Sequence, residues 1–471
     1  MVNAFLLVAL AATASARSDT LSGLCSPARE GVAVDLTGTS YRPEQSYAPA
    51  ETVAEVDARQ SMLLLADGRF LLRTSSLYPG DIEFRFRTVG DRTGESTIDE
   101  LGWREGDVLQ RDDAATSARD LAELRMLVPA LLACDALERG APRAGVDDGA
   151  LAFKDGAGRE VTLTFGADGE LAGARLGETS YRYENWHVRE GQRVPGRIVV
   201  LRGSRETTRW TRIHARPARP GDEALLSLPE GYRAADPAGP LRATTLGEGA
   251  YRIDGAPSGY HTGFVVGERG VMLFDAPVDV EEARQVRARI EAIAGRPVTH
   301  VVISHVHGDH VAGLPAYRDA EVLVGAGGAA ALRRQLDESL PSRVREVDTG
   351  QEVDLGGRRV RILPLASAHS PTMLVGFDAR SGTLFQGDLF YMPERGAVPA
   401  GFATGRELIA LIDAASLPVH AIVGVHGRTG TPRDLHDAVA RIANPADRGC
   451  VGEQMTRPDR CAPGAQSNTT R

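Results

Sequence analysis

Lysine is all but missing from this chain of 471 residues: Lys154 stands alone against 53 arginines. Any cation that anchors an acidic ligand must therefore be an arginine, whose planar guanidinium can grip an anion in a bidentate fashion. No apolar run approaches the ~20 residues that a membrane-spanning helix needs, so no membrane anchor is expected. Long runs of one charge sign are also absent, and the formal net charge of -9 is spread along the chain. Neither nucleic acid nor an anionic membrane is implied as a partner, and a small molecule is the partner expected. Cysteine is scarce. Cys25, Cys134, Cys450 and Cys461 are spaced too widely for a thiolate zinc cage. Their even number suits disulfides in an oxidising compartment. Three pairings are open on sequence alone. Cys450 and Cys461 bracket a short Gly- and Pro-containing tail and are natural partners, which leaves Cys25 with Cys134. No Gly-X-Ser-X-Gly turn is present, so that kind of serine nucleophile is excluded.

What the chain does contain is the material of an ordinary globular protein, 42% hydrophobic and 25% charged, long enough for two domains at ~100–200 residues each. Its first residues read as an export signal. The apolar stretch Ala4–Ala12 precedes Ala14-Ser15-Ala16, a small-residue cleavage pattern, although no Lys or Arg precedes the stretch. Residues 1–16 are thus expected to be removed, leaving a periplasmic or secreted protein.

Residues 17–235 are expected to form a β-rich antiparallel domain. Ile82-Glu-Phe-Arg-Phe-Arg87 and Val161-Thr-Leu-Thr-Phe165 alternate with period two, as does part of Arg197–Leu201, and Asp67-Gly68, Asp155-Gly156 and Asp168-Gly169 supply turns. One helix is predicted over about 116–138, with Leu121, Leu124, Leu127, Val128, Leu131 and Leu132 along a face and a kink at Pro129. The order of strands around Gly191–Gly196 resembles the periplasmic lipoprotein-carrier fold. His187 and His214 are isolated here and read as structural. Pro217–Pro240, dense in Pro, Gly, Ala and Asp, predicts a linker. Beyond it, strands Ala250–Asp254, Thr262–Val266, Val271–Phe274 and His300–Ile303, with a helix Val280–Ala294, predict mixed sheets covered by helices. Residues 236–445 form this second domain and 446–471 a tail.

The decisive run is Val301-Val-Ile-Ser-His305-Val-His307-Gly-Asp309-His310. An apolar strand delivers four donors to the loop at its end, before a helix. Imidazole nitrogen and carboxylate oxygen are what zinc accepts, and a carboxylate-containing set leaves room for water. Further donors stand at other strand ends: Asp275 after Val271-Met-Leu-Phe, His369 in Ser-Ala-His-Ser-Pro, Asp388 after Leu-Phe-Gln-Gly, and His426 before Gly-Arg428.

On these motifs the segment 236–445 resembles the metallo-β-lactamase superfamily, whose αββα sandwich it would share. The resemblance implies two zinc ions, with iron or manganese as the other metals such sites hold. His305, His307 and His369 would hold one ion and Asp309, His310 and His426 the other. Asp388 would bridge them, and Asp275 would brace the histidine loop. It further implies a hydrolase in which a bridging hydroxide attacks an ester, lactone or lactam-type substrate while Asp309 or Asp388 orients it and takes the proton. The alternative is a periplasmic binding or carrier protein with structural metals. Arg428 is a candidate anchor for an anionic group or a member of a structural salt bridge. His261, His300, His420 and His436 read as structural, although Tyr260-His261 is placed to reach the cleft.

Overall fold

The computed structural model describes residues 17–43, 45, 48–103, 106–139, 150–189, 191–236, 239–442 and 451–456. The export segment 1–16 and the Cys450–Cys461 pairing lie outside the described residues. Among them no helix is long and apolar enough to cross a membrane.

The first half is built on one sheet of 13 strands, antiparallel except at one edge, where Arg233–Ala234 runs parallel to Val108–Asp113. Its centre comprises β1 (Gly31–Arg42), β2 (Ala54–Leu65), β3 (Phe70–Tyr78) and β4 (Ile82–Asp91), with Arg205–Pro217 on the other side of β1. One face buries Val32, Val34, Leu36, Met62, Leu64 and Phe70 under helical segments. Those segments correct the single kinked helix expected over 116–138. The structure has two helices, Ala114–Arg125 and Pro129–Glu138. Asp113 caps the first through the Thr116 N–H, and Pro129 starts the second, where its missing N–H has no role. A proline that would break a helix interior is here a helix start. Cys25 and Cys134 form a disulfide across this core.

The alternation in β4 also carries more than half-burial. Phe84 and Phe86 face one side, while Glu83 and Arg85, on the other, are themselves buried and paired at 2.6 Å. The opposite face of the sheet is closed partly by residues 451–456. Met455 is buried there, and the backbone N–H groups of Met455 and Thr456 donate to Asp35 at 3.2 and 2.6 Å.

The second half is a four-layer sandwich. A seven-stranded sheet runs from Arg242–Gly247 to Arg343–Val347, and a five-stranded sheet from Gln351–Asp354 to Ala421–Gly424. Met272, Phe274 and Val302 of the first meet Ile362, Leu374 and Phe385 of the second in a dry middle layer. The helix Val280–Ala294 covers the outside of the first sheet, and helices Thr404–Ala414 and Pro432–Val439 cover the second. Asp279 caps the helix Val280–Ala294 by accepting from Glu281 and Glu282, and Gly295 ends it. The three strands expected at 250–254, 262–266 and 271–274 are present with those bounds, and the fourth is Val298–Val302.

The two halves share a small apolar core. Tyr78, Ile82, Phe84 and Trp103 pack with Tyr391 and Phe402, and the Trp103 indole donates to the Ala400 carbonyl at 2.7 Å.

Candidate metal centre

Every donor of the centre stands where a strand ends. The strand Val298–Val302 runs into Ser304-His305, and a short helix, Gly308–Val311, carries Asp309 and His310. His369 follows Arg359–Leu365, Asp388 follows Thr383–Gly387, and His426 lies just past Ala421–Gly424. Gly387 is required next to Asp388. Its φ of 66° is left-handed, and a Cβ there would come within 2.4 Å of the Ser304 hydroxyl.

The donors gather into two sets. His305 Nε2 lies 2.8 Å from His307 Nδ1 and 3.1 Å from His369 Nε2. Asp309, His310, Asp388 and His426 offer ligand atoms all within 4.8 Å of one another. Asp388 stands between the sets. Its Oδ2 is 3.3 Å from His310 Nε2 and 3.8 Å from His369 Nε2, and its Oδ1 is 3.6 Å from His426 Nε2.

Electrostatics suits cations at both places. Burial, with the neighbouring imidazoles, holds His305 well below its ordinary pKa, and burial beside His369 takes His307 down to about 3. Burial also lowers His369. All three are thus neutral and present lone pairs. Asp388 is a carboxylate although burial alone would raise it, because His310 and His426 hold it well below the usual range. His310 is pushed down by burial but raised further by Asp388, Asp275 and Asp309. Even so, His310 Nε2 and Asp388 Oδ1 are buried without a hydrogen-bond partner. Orphaned buried polar atoms are rare and destabilising. A donor set of imidazoles and carboxylates with such atoms facing inward is chemically matched to divalent ions.

Supporting contacts fix the donors. Asp275, at a left-handed φ of 60°, accepts from the Ser304 N–H at 2.7 Å and its hydroxyl at 2.8 Å, and meets His310 Nδ1 at 3.1 Å. It braces the loop and lies outside both donor sets. Backbone strain of this kind clusters at functional sites. The N-terminal half contributes as well. His369 Nδ1 meets the Pro79 carbonyl at 3.2 Å, and Gln45 donates to Asp309 Oδ1 at 2.8 Å. Tyr260 donates to Asp309 Oδ2 at 2.9 Å, and Tyr391 stacks on His426 with ring centroids 5.3 Å apart.

The structure therefore brings together all seven expected donors with Asp275 behind them. It leaves His187 exposed and His214 beside Arg189, both away from the centre. Tyr260 reaches the cleft but His261 does not: it is buried between Asp254 and Glu394. Arg428 donates to the Pro393 and Gly396 carbonyls, so it pins a loop instead of anchoring a ligand or pairing with a carboxylate. Gln45, Pro79 and Tyr391 carry no sequence signal, because tertiary docking alone brings them to the site.

Residues 256–426 match the family model of the metallo-beta-lactamase superfamily. Among solved structures, a metallo-beta-lactamase from Pontibacter korlensis is 18% identical, with a TM-score of 0.35, over 42% of this chain and 97% of its own. One from Hirschia baltica is 16% identical, with a TM-score of 0.34, over 42% and 96%. A metal-soaked flavodiiron core from Synechocystis is 16% identical, with a TM-score of 0.36, over 43% and 60%. No curated protein matches the chain.

Proposed function

We propose, from the match of residues 256–426 to the metallo-beta-lactamase superfamily and the geometry of the centre, that the protein is a hydrolase that holds two divalent metal ions and cleaves an ester, lactone or lactam-type bond. The observation that carries this reading is the position of Asp388, a buried carboxylate between three neutral imidazoles on one side and His310 and His426 on the other. His305, His307 and His369 would hold one ion and Asp309, His310 and His426 the other, with Asp388 shared. Zinc is the metal proposed, because a histidine-rich set with carboxylates matches its open catalytic sites.

Bound ions of this kind polarise a substrate carbonyl and lower the pKa of water toward about 7. The chain's own groups do the rest. Asp388 and Asp309 are the carboxylates within reach of an attacking water, and each can orient it and take its proton. Asp309 is fixed for this by Gln45 on one oxygen and Tyr260 on the other. Export is part of the proposal, and the Cys25–Cys134 disulfide supports an oxidising compartment.

The test is elemental analysis of the purified full-length protein together with hydrolysis of chromogenic esters, lactones and lactams before and after chelation. Two metal equivalents and turnover that a chelator abolishes and zinc restores are expected. Chelator-insensitive turnover, or a folded protein that takes up no metal, would overturn the proposal. Iron or manganese in place of zinc would correct the metal and leave the donor assignment standing.

A further inference from the structure

The centre does not lie on an open surface. A cavity of about 480 Å³ separates it from the N-terminal sheet, well within the ~300–1,000 Å³ of small-molecule sites. Asp309, His369, Asp388 and His426 form its floor. Its roof is one face of β1–β4 and the strand Arg205–Pro217, and the register shows what that face carries. Gln60 pairs with Thr74 and Ala58 with Ser76. Thr74 pairs in turn with Phe86, and Ser76 with Phe84. Cross-strand partners share a face, so hydroxyls and aromatic rings stand side by side over the donors, joined by Trp210 from the far strand.

Further along the same strands that face carries Leu36, Met62, Leu64 and Phe70. The sheet is therefore apolar where helices cover it and changes to Ser, Thr, Gln and aromatic residues where it overhangs the centre. Gln60 Oε1 is buried there without a partner. Among the described residues the roof offers no carboxylate. Of the two arginines at the cavity, Arg42 is exposed. Arg59 springs from the opposite face of β2, where its Cβ lies beside Gly452.

We propose that this face is the substrate-recognition surface and that the substrate is an uncharged ester or lactone with a ring-sized apolar group. The inference rests on the hydrolase reading above and names its substrate class. Phe84, Phe86 and Trp210 receive the ring, and Thr74, Ser76 and Gln60 meet the substrate's oxygen atoms. A carboxylate seated against Phe84, Phe86 and Trp210 would be desolvated among side chains that carry no cation, at a penalty of several kcal/mol. A neutral compound meets no such penalty, which sets carboxylate-bearing lactams aside. In the reaction, water adds to the acyl carbon, the acyl–oxygen bond breaks, and the proton accepted by Asp388 or Asp309 passes to the departing alkoxide. The products are an acid and an alcohol, or one hydroxy acid from a lactone.

The experiment uses full-length protein of measured metal content and two aryl esters that differ only by a carboxylate on a ring-bearing acyl group. A non-hydrolysable ketone analogue of the neutral ester serves for calorimetric binding. The neutral ester is expected to have the higher kcat/KM by about 10-fold or more, the loss expected when burial of an aromatic side chain's worth of surface is forfeited. Phe84→Ala should raise KM about 10-fold for the ring-bearing ester and much less for an acetate ester, and Ser76→Val should raise KM while circular dichroism stays native. Preference for the charged ester, or an unchanged KM in both folded variants, overturns the inference. Tight binding of the ketone analogue without turnover of any ester would instead sink the hydrolase reading and leave the recognition surface in place.

Discussion

Asp388 is the residue on which both halves of the centre depend, because its Oδ2 faces His310 of one set and His369 of the other while its Oδ1 faces His426. Asp388→Ala is therefore expected to lower bound metal at both positions and hydrolysis by at least ~100-fold, since losing even a supporting partner of a metal costs ~10–100-fold. His426→Ala should lose mainly one equivalent. Metal content per chain beside turnover reads the difference, and His187→Ala should change neither. The seven donors were legible from sequence because each follows an apolar strand, so local pattern and function coincide. Gln45 and Pro79 were not, because they lie 264 and 290 residues from the donors they touch. A backbone carbonyl such as that of Pro79 leaves no trace in side-chain identity at all. Arg428 shows the converse. Its place beside His426 suggested a ligand anchor or a structural salt bridge, whereas its guanidinium is taken up by the Pro393 and Gly396 carbonyls.

At the scale of elements, the turn between β3 and β4 holds the donor loop from above. Gly80 there has a φ of 84°, and a Cβ would lie 2.9 Å from Thr404 Cγ2 and 3.1 Å from the His369 backbone nitrogen. Gly80→Val should push the turn off His369 and weaken metal retention by about 10-fold or more, with circular dichroism unchanged. Chelator competition measures it. The strand Met373–Asp378 tests stability instead. Its Asp378 is fully buried and paired with Arg358 through two bonds of 3.0 and 2.6 Å. Arg358→Met strands a buried carboxylate and should destabilise the protein by about 3–5 kcal/mol in denaturant unfolding. Strand boundaries in this half were readable from apolar runs. The helix break after Arg125 was not, because Pro129 suits a kink and a helix start equally until the packing of the preceding turn is known.

For the whole molecule, the division at about 236 separates all the donors from the sheet that roofs them. Residues 236–445 alone should still bind metal through their seven donors. Without Pro79, Gln45 and the apolar contact around Trp103, they should bind it about 10–100-fold more weakly and hydrolyse poorly, which titration of the isolated domain against the full chain would show. The size of the sheet could not be read from sequence, since thirteen strands in one layer depend on pairings such as that of β1 with Arg205–Pro217. The placement of residues 451–456 on Asp35 and Ser61 bears on motion. The N-terminal sheet is held by the segment after Pro217, which leads into the second half, and by residues 451–456, which come after that half in sequence and pack back on the sheet. A body held by more than one stretch of chain is less free to swing as a lid. Ligand traffic is then expected through the cavity as it stands, and small-angle scattering should give the same radius of gyration with and without a bound inhibitor.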